Sequence, residues 1–322
     1  IVPVNLAGKT SFYLSCTYSK GQVDTDYTHG EFYRPVFGMI FSEEITSNVD
    51  FLGEFHLQGN DSFSLDRAWM RFKPSIIFEF RLGLYLVPFG IYNELFRAHE
   101  TALIHRPLNL EYTYPERWRD LGIGIQGLWG GLRYAVYAGN GLAEESTLSQ
   151  GQQWADNNAN KGIGGQITWQ LEENFEVGYS RYQGKYDDGN LRWIHLQGFH
   201  FSWVTSSFSL LAEYSGAKIE NPEEFLTGEL DGYFVQATLN WGGLTPVLSY
   251  QKVTYTDPFH GKGFAGEDLP GEGTNISKNR WALGAVYAID RVLFLKFEYD
   301  WNTDLNADLE EDRFSFQIAV LF

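Results

Sequence analysis

The sequence predicts an all-β protein, a closed antiparallel transmembrane β-barrel of sixteen strands, and three observations carry that expectation. Apolar residues recur at every second position through most of the chain, the period of a strand with two unlike faces. Aromatic residues make up 17% of it, with 25 Phe, 19 Tyr and 10 Trp, an excess that suits the aromatic girdles of a barrel wall at two membrane interfaces. The linkers between apolar segments alternate short and long, as they do where tight turns lie at one rim and loops at the other.

The register is clearest at the C-terminus, where Phe314, Phe316, Ile318, Val320 and Phe322 alternate with Arg313, Ser315, Gln317, Ala319 and Leu321. Apolar groups facing out and polar groups facing in is the inverse of a soluble barrel with a filled core. The same reading gives outward sets in order along the chain: Phe12, Leu14, Cys16 and Tyr18; Val49, Phe51, Phe55 and Leu57; and Phe78, Phe80, Leu82, Leu84 and Leu86. Leu121, Ile123 and Ile125 follow, then Leu132, Tyr134 and Val136, then Ile163, Ile167 and Trp169, then Phe175, Val177 and Tyr179. The last third supplies Phe208, Leu210, Ala212 and Tyr214; Tyr233, Val235, Ala237, Leu239 and Trp241; Leu244, Leu248 and Tyr250; Trp281, Leu283, Ala285 and Tyr287; and Leu293, Leu295, Phe297, Tyr299 and Trp301. In three segments, residues 32–41, 64–72 and 191–203, both faces carry apolar side chains, which points to bulges, subunit contacts or lumenal aromatics.

Lys73-Pro74-Ser75, Gly130-Gly131, Glu172-Glu173-Asn174, Gly242-Gly243 and Asp290-Arg291 read as tight turns, against long linkers at 87–119, 140–160, 218–230 and 255–277. With Phe322 at the periplasmic rim, every tight turn falls on that side. Trp129, Trp169 and Trp241 then sit at interface depth below, and Trp281, Trp301 and Tyr214 above. An even strand count closes the sheet and leaves no edge unpaired in lipid.

Composition removes other classes. A spanning helix needs about 18 or more apolar residues in a row, which this chain lacks, and its mean hydropathy is −0.28. Twenty-four basic residues against 41 acidic ones give a net charge of −17, so nucleic acid is not an expected partner. The lone Cys16 forms no intrachain disulfide, and no CxxC pattern is present to hold a metal or haem. The start Ile1-Val2-Pro3-Val4 has no signal-peptide pattern, and the chain reads as one domain over residues 1–322, mature or truncated.

A barrel of sixteen strands is too wide for its side chains to fill, so it encloses an aqueous bore that something must narrow. Residues 87–119 are far longer than a connection needs, yet Ile91, Leu95, Phe96, Leu103, Ile104, Leu108, Leu110 and Trp118 offer apolar anchors. The expectation is a third external loop folded into the lumen as an eyelet. It carries Arg97, His99, Arg106, Arg117 and Arg119 against Glu94, Glu100, Glu111, Glu116 and Asp120. From the wall, Glu79, Arg81, Tyr85 and Arg133 point inward in the same register, joined by Arg67 and Arg71 if Ala68, Met70 and Phe72 face lipid. Two readings of these arginines stay open. They form a file that attracts anions through bidentate hydrogen bonds, or they pair with Glu79, Glu54 or loop carboxylates and hold the eyelet in place.

The stretch Leu65-Asp66-Arg67-Ala68-Trp69 through Arg81-Leu82-Gly83 and Pro88-Phe89-Gly90 resembles the phosphate-selective porin O and P family. The likeness covers roughly residues 60–95 together with the terminal Phe322. It implies a trimeric sixteen-stranded anion channel of the bacterial outer membrane with an arginine-lined lumen. Passive diffusion of small hydrophilic solutes or ions is then the expected function, with lipid, lipopolysaccharide and a homotrimer as partners and no cofactor.

Other constellations point elsewhere. In His99-Glu100-Thr101-Ala102-Leu103-Ile104-His105 the two imidazoles are six apart, not the spacing of a zincin helix, and no metal site is expected. His56 with scattered Ser and Asp residues assembles no hydrolytic triad by spacing, so no catalytic residue is assigned. Glu220 to Glu224 and Asp304 to Asp312 are acidic stretches that suit calcium or, more simply, a solvated surface. A barrel sheathing a threaded partner protein is a third reading, opposed by the long loop.

Overall fold

The computed structural model describes residues 9–59, 62–145, 148–222, 227–257, 277–305 and 308–322. Sixteen strands follow in order: β1 Lys9–Gly21, β2 Glu31–Thr46, β3 Val49–Gln58, β4 Ser62–Phe72, β5 Glu79–Leu86, β6 Arg119–Trp129, β7 Leu132–Gly139 and β8 Gly162–Glu172. The second half comprises β9 Phe175–Lys185, β10 Trp193–Val204, β11 Phe208–Ile219, β12 Gly228–Leu239, β13 Leu244–Asp257, β14 Lys278–Ile289, β15 Leu293–Asp304 and β16 Arg313–Leu321. Between β5 and β6 lies one short helix, α1 Leu108–Thr113. Each strand pairs antiparallel with its sequence neighbours, and β1 closes the barrel on β16 from Tyr13↔Leu321 to Gly21↔Arg313. At the seam Phe12 and Phe322 exchange both backbone hydrogen bonds, at 2.6 and 2.8 Å, and their rings stack.

The inverted polarity is plain along β16. Phe314, Ile318 and Phe322 are 40%, 38% and 61% exposed, while Ser315, Gln317 and Ala319 are buried. Trp129, Trp169, Trp241, Trp281 and Trp301 are exposed near strand ends. In β5 the expected outward set is only partly so: Leu82 is exposed, but Leu84 and Leu86 are buried, beside Gly83, whose φ of +124 takes the backbone out of the regular pleat.

The three mixed-face segments have distinct causes. In β2 the pairing with β1 slips between Ser15↔Val36 and Thr17↔Tyr33, so one extra residue is accommodated near Arg34, whose φ is 46°. In β4 the pairing slips between Glu54↔Arg67 and Phe55↔Leu65, a bulge at Asp66 that turns two consecutive side chains, Asp66 and Arg67, toward β3's inward residues His56 and Glu54. β10 is regular, and its inward face carries Ile194 and Leu196, both buried.

Those two side chains belong to an apolar mass inside the barrel. Val87, Phe89, Leu108, Leu110, Tyr114 and Trp118, from the segment between β5 and β6, pack with Tyr182, Tyr186, Ile194, Leu196, Ala217, Ile219, Leu230, Phe234 and Val253. Glycines on the wall make room for aromatic rings. A Cβ at Gly164 would lie 2.2 Å from the Tyr137 hydroxyl, and one at Gly38 would lie 2.0 Å from the Tyr13 ring.

Candidate functional site: the lumenal constriction

Residues 87–118 leave β5, cross to the far wall, run along the inward side of the barrel and return to β6. Their backbone follows inward-facing acceptors. Glu213 on β11 accepts from Ile91 N at 2.8 Å and from the Tyr114 hydroxyl at 3.1 Å. Gln251 on β13 accepts from Leu108 N at 2.8 Å, and Ser215 on β11 accepts from Asn109 at 2.9 Å. At the tip, Glu298 on β15 accepts from both Ile104 N and His105 N, and Lys296 donates to Thr101 Oγ1 at 2.9 Å and to the Leu103 carbonyl at 3.2 Å. Asn93 closes the base by donating to the Val87 and Trp118 carbonyls at 2.8 Å each.

Ion pairs reinforce the attachment. Arg97 grips Glu54 on β3 through Nε and Nη2, both at 2.6 Å, and also pairs with Glu100. Burial lowers the guanidinium's pKa, but Glu54 and Glu100 more than reverse this, so it is held above its ordinary value. Glu111 on α1 takes a two-point grip from Arg280 on β14, at 3.1 and 3.2 Å. Its burial raises the carboxyl pKa, and Arg280 and Arg313 bring it below the usual range. His99 is pulled down to about 4 by burial and by Arg97 and Lys296. Its ring lies between those of Tyr13 and Phe294, at 5.8 and 6.5 Å.

A cavity of about 350 Å³ remains between the loop and the wall of β1 to β4 and β16. Arg34, Arg97, Arg106, Arg117 and Arg119 line it, against one carboxylate, Glu116. Arg97 and Arg119 are paired, the latter with Asp66 at 3.0 Å. Arg34, Arg106 and Arg117 meet no carboxylate within ion-pair distance among the described residues; they lie 5.7, 4.5 and 5.2 Å from the rings of Tyr33, Tyr114 and Phe96. Enclosure raises the Glu116 carboxyl, yet Arg117, Arg34 and Arg106 hold it below its ordinary value.

Of the residues singled out from sequence, Arg97, Arg106, Glu116, Arg117 and Arg119 are thus brought to the cavity, while the other candidate pore-lining residues lie elsewhere. Arg67 pairs with Glu54 at 2.6 Å. Arg71 is held by Asp50 at 2.6 Å and Glu79 at 3.1 Å. Arg81 stacks on Trp69 at 4.8 Å, with its Nε buried and unbonded. Tyr85 is buried and donates toward the Ile123 carbonyl at 3.2 Å. Arg133 pairs with Glu176 on β9. Sequence reading left out Arg34, the cavity residue that the β2 bulge presents. Its signal was the mixed-face stretch with Pro35 next to it. The sequence named His56 and Asp66 without pairing them, and did not single out the acceptors Glu213 and Glu298.

His105 Nδ1 lies 3.3 Å from both Glu298 and Asp300. Those carboxylates are already engaged, Glu298 by loop amides and Asp300 by Arg313 at 2.7 Å. Of the acidic stretches, residues 223–226 and 306–307 lie outside the described residues, as do 1–8 at the chain's start. Asp304 and Glu311 share Lys278.

A closed sixteen-stranded barrel with apolar groups outside, and with a polar bore partly filled by its own loop, defines a transmembrane channel. A profile of the Gram-negative porin family matches residues 4–320, and the chain belongs to that family. Its barrel is one of the bacterial outer membrane. Among solved structures it resembles the anion-selective porin of Comamonas acidovorans, with a TM-score of 0.70, 13% identity, and coverage of 98% of this chain and 99% of that one. It is also similar to OmpF of Salmonella typhi in complex with daunomycin, with a TM-score of 0.68, 14% identity, and coverage of 98% and 97%. The trimer form of OmpT of Vibrio cholerae gives a TM-score of 0.68 at 10% identity, with 98% of each chain covered. These identities speak for the fold alone. In sequence the chain is 28% identical over 206 residues to an uncharacterized protein of Aquifex aeolicus, a match over 58% of this chain and 47% of that protein, so the matched part spans about half the relative's length.

Proposed function

We propose that the protein passes small hydrophilic solutes by passive diffusion, that residues 87–118 act as its eyelet, and that it prefers anions. The observation that carries the preference is the composition of the cavity wall, five arginines against one carboxylate, with three of the guanidiniums free of ion pairs among the described residues. Fixed positive charge at a narrow point lowers the energy of an anion and raises that of a cation. Pairing of Arg67, Arg71 and Arg133 with carboxylates moves the source of selectivity from the wall file to Arg34, Arg106 and Arg117. A guanidinium offers paired donors to an oxyanion, and inorganic phosphate is the finer candidate that the family resemblance suggests.

The assembly we propose is a homotrimer, in line with the trimer form of the Vibrio structure, with the rest of the outward belt in lipid and lipopolysaccharide. Reversal potentials in planar bilayers under a potassium chloride gradient test the preference. The expected sign is that of chloride permeation, and replacing Arg34, Arg106 and Arg117 together by Gln moves it toward potassium. Cation preference in the unaltered protein, or an unmoved potential in the triple variant, contradicts the reading.

A further inference from the structure

His56 and Arg117 meet in an unusual way. Arg117 Nη1 lies 2.6 Å from His56 Nε2 and 3.1 Å from Nδ1. A donor aimed along one ring nitrogen's lone pair cannot lie so close to both, so the guanidinium rests across the face of the imidazole. On the ring's edge, Nδ1 is 2.7 Å from Asp66 Oδ2, and a carboxylate accepts only, so Nδ1 carries the hydrogen. The imidazole is 4% exposed and Asp66 fully buried. Asp66 has little freedom, because its other oxygen is bonded to Arg119 at 3.0 Å.

Apart from this ring, Arg117 has few holds. Its guanidinium is 5.2 Å from the Phe96 ring, its Nε is buried without a hydrogen bond, and its backbone has a φ of 52°, which an arginine adopts only where the fold fixes it. A neutral imidazole accepts a cation on its face. A protonated one places a like charge about 3 Å away, where Coulomb repulsion is at its strongest.

Charged and titratable groups around the pair are Asp66 and Arg67 of β4, Glu54 of β3, Tyr13 of β1, Arg34 of β2, Arg119 of β6, and Arg97 and Glu116 of the loop. Glu54 is held by Arg97 and Arg67, and Asp66 by Arg119 and His56 itself. Neither has an oxygen to spare for a displaced guanidinium, which leaves the cavity and Glu116.

We propose that His56 is a positioning residue for Arg117, and that protonating its imidazole drives the Arg117 guanidinium off the ring into the bore, strengthening anion preference as pH falls. This rests on the anion-selective reading above. His56 touches no permeating ion in this scheme; it acts through Arg117.

The test is the chloride-to-potassium permeability ratio in planar bilayers, read from about pH 8 down to about pH 5. In the unaltered protein the ratio should rise by about two- to fivefold on acidification, the scale of one unit charge a few Å from the permeating ion. His56→Gln, which cannot titrate, should flatten the profile, and so should Arg117→Gln, which keeps the imidazole but removes the group it moves. His105→Gln should retain the rise. A profile that stays steep in both His56→Gln and Arg117→Gln, or that flattens only in His105→Gln, overturns the proposal. A ratio above one that does not change with pH in the unaltered protein also overturns it, while leaving the anion reading intact. A ratio below one throughout defeats that reading itself.

Discussion

Arg97 Nε and Nη2 each stand 2.6 Å from a different oxygen of Glu54, a two-point grip between the inserted loop and β3, two strands from β5 where that loop begins. Arg67 Nε and the Tyr13 hydroxyl complete the ring of donors around the same carboxylate. Planar, bidentate pairing of this kind fixes orientation as well as distance.

Removing one member should therefore cost more than a surface pair would. Arg97→Ala leaves Glu54 buried with part of its charge uncompensated, a change that costs about 3–5 kcal/mol in buried pairs. The expected result is a lower urea midpoint for refolded protein and noisier, larger single-channel currents as the loop loosens. Currents and midpoint equal to those of the unaltered protein would show that the loop is held without this pair.

Glu213 separates hydrogen bonding from charge. It accepts from Ile91 N, Tyr92 N and the Tyr114 hydroxyl, and a glutamine keeps an accepting oxygen in the same place. Glu213→Gln should be mild, whereas Glu213→Ala strands buried donors at about 1–3 kcal/mol each. Limited proteolysis reads the difference: the alanine variant should be cut within residues 87–118 and the glutamine variant should not. Equal resistance in both would refute the assignment.

Acid should destabilise the fold through His99. Its pKa is drawn from 6.5 down to about 4, first by burial and then by Arg97 and Lys296. Below about 6.5 the unfolded chain takes up a proton that the folded barrel refuses, so stability is lost as pH falls from there toward about 4, by at most about 3 kcal/mol. His99→Gln should reduce this dependence of the urea midpoint on pH over that window. A parallel dependence in the variant would place the acid sensitivity in other groups.

At Gly164 the prediction concerns space. A methyl group there meets the Tyr137 ring and the Arg181 carbonyl, the latter at 2.8 Å. Gly164→Ala should destabilise by about 1–3 kcal/mol, the usual cost of overpacking. Combining it with Tyr137→Ala should cost less than the sum of the two single changes, since the ring is then gone. Strict additivity would mean that the two positions do not press on each other.

What the sequence disclosed and what it withheld follow a physical division. Facing is a local property with a period of two, so Phe314, Ile318 and Phe322 could be assigned to lipid by counting residues. Turn length is local too, and Gly130-Gly131 and Gly242-Gly243 announce themselves, with positive φ at Gly130, Gly242 and Gly243. The partner of a charge is not local. Glu54 and Arg97 are 43 positions apart, and Ile104 and Glu298 are 194 apart. The bulges at Arg34 and Asp66 arise from pairing between strands, and a bulge turns side chains that counting would put on the other face. That is why Arg34 escaped notice and why Asp66 and Arg67 both point one way.

The apolar mass beneath the loop has an engineering corollary. Because Phe89, Trp118, Tyr182 and Phe234 are sealed between the loop and the strands behind it, whittling any of them down excavates a sealed void with no route to either compartment. On the opposite flank, around Val36, Gln58 and Ser62, each atom removed instead enlarges a cavity that is already open.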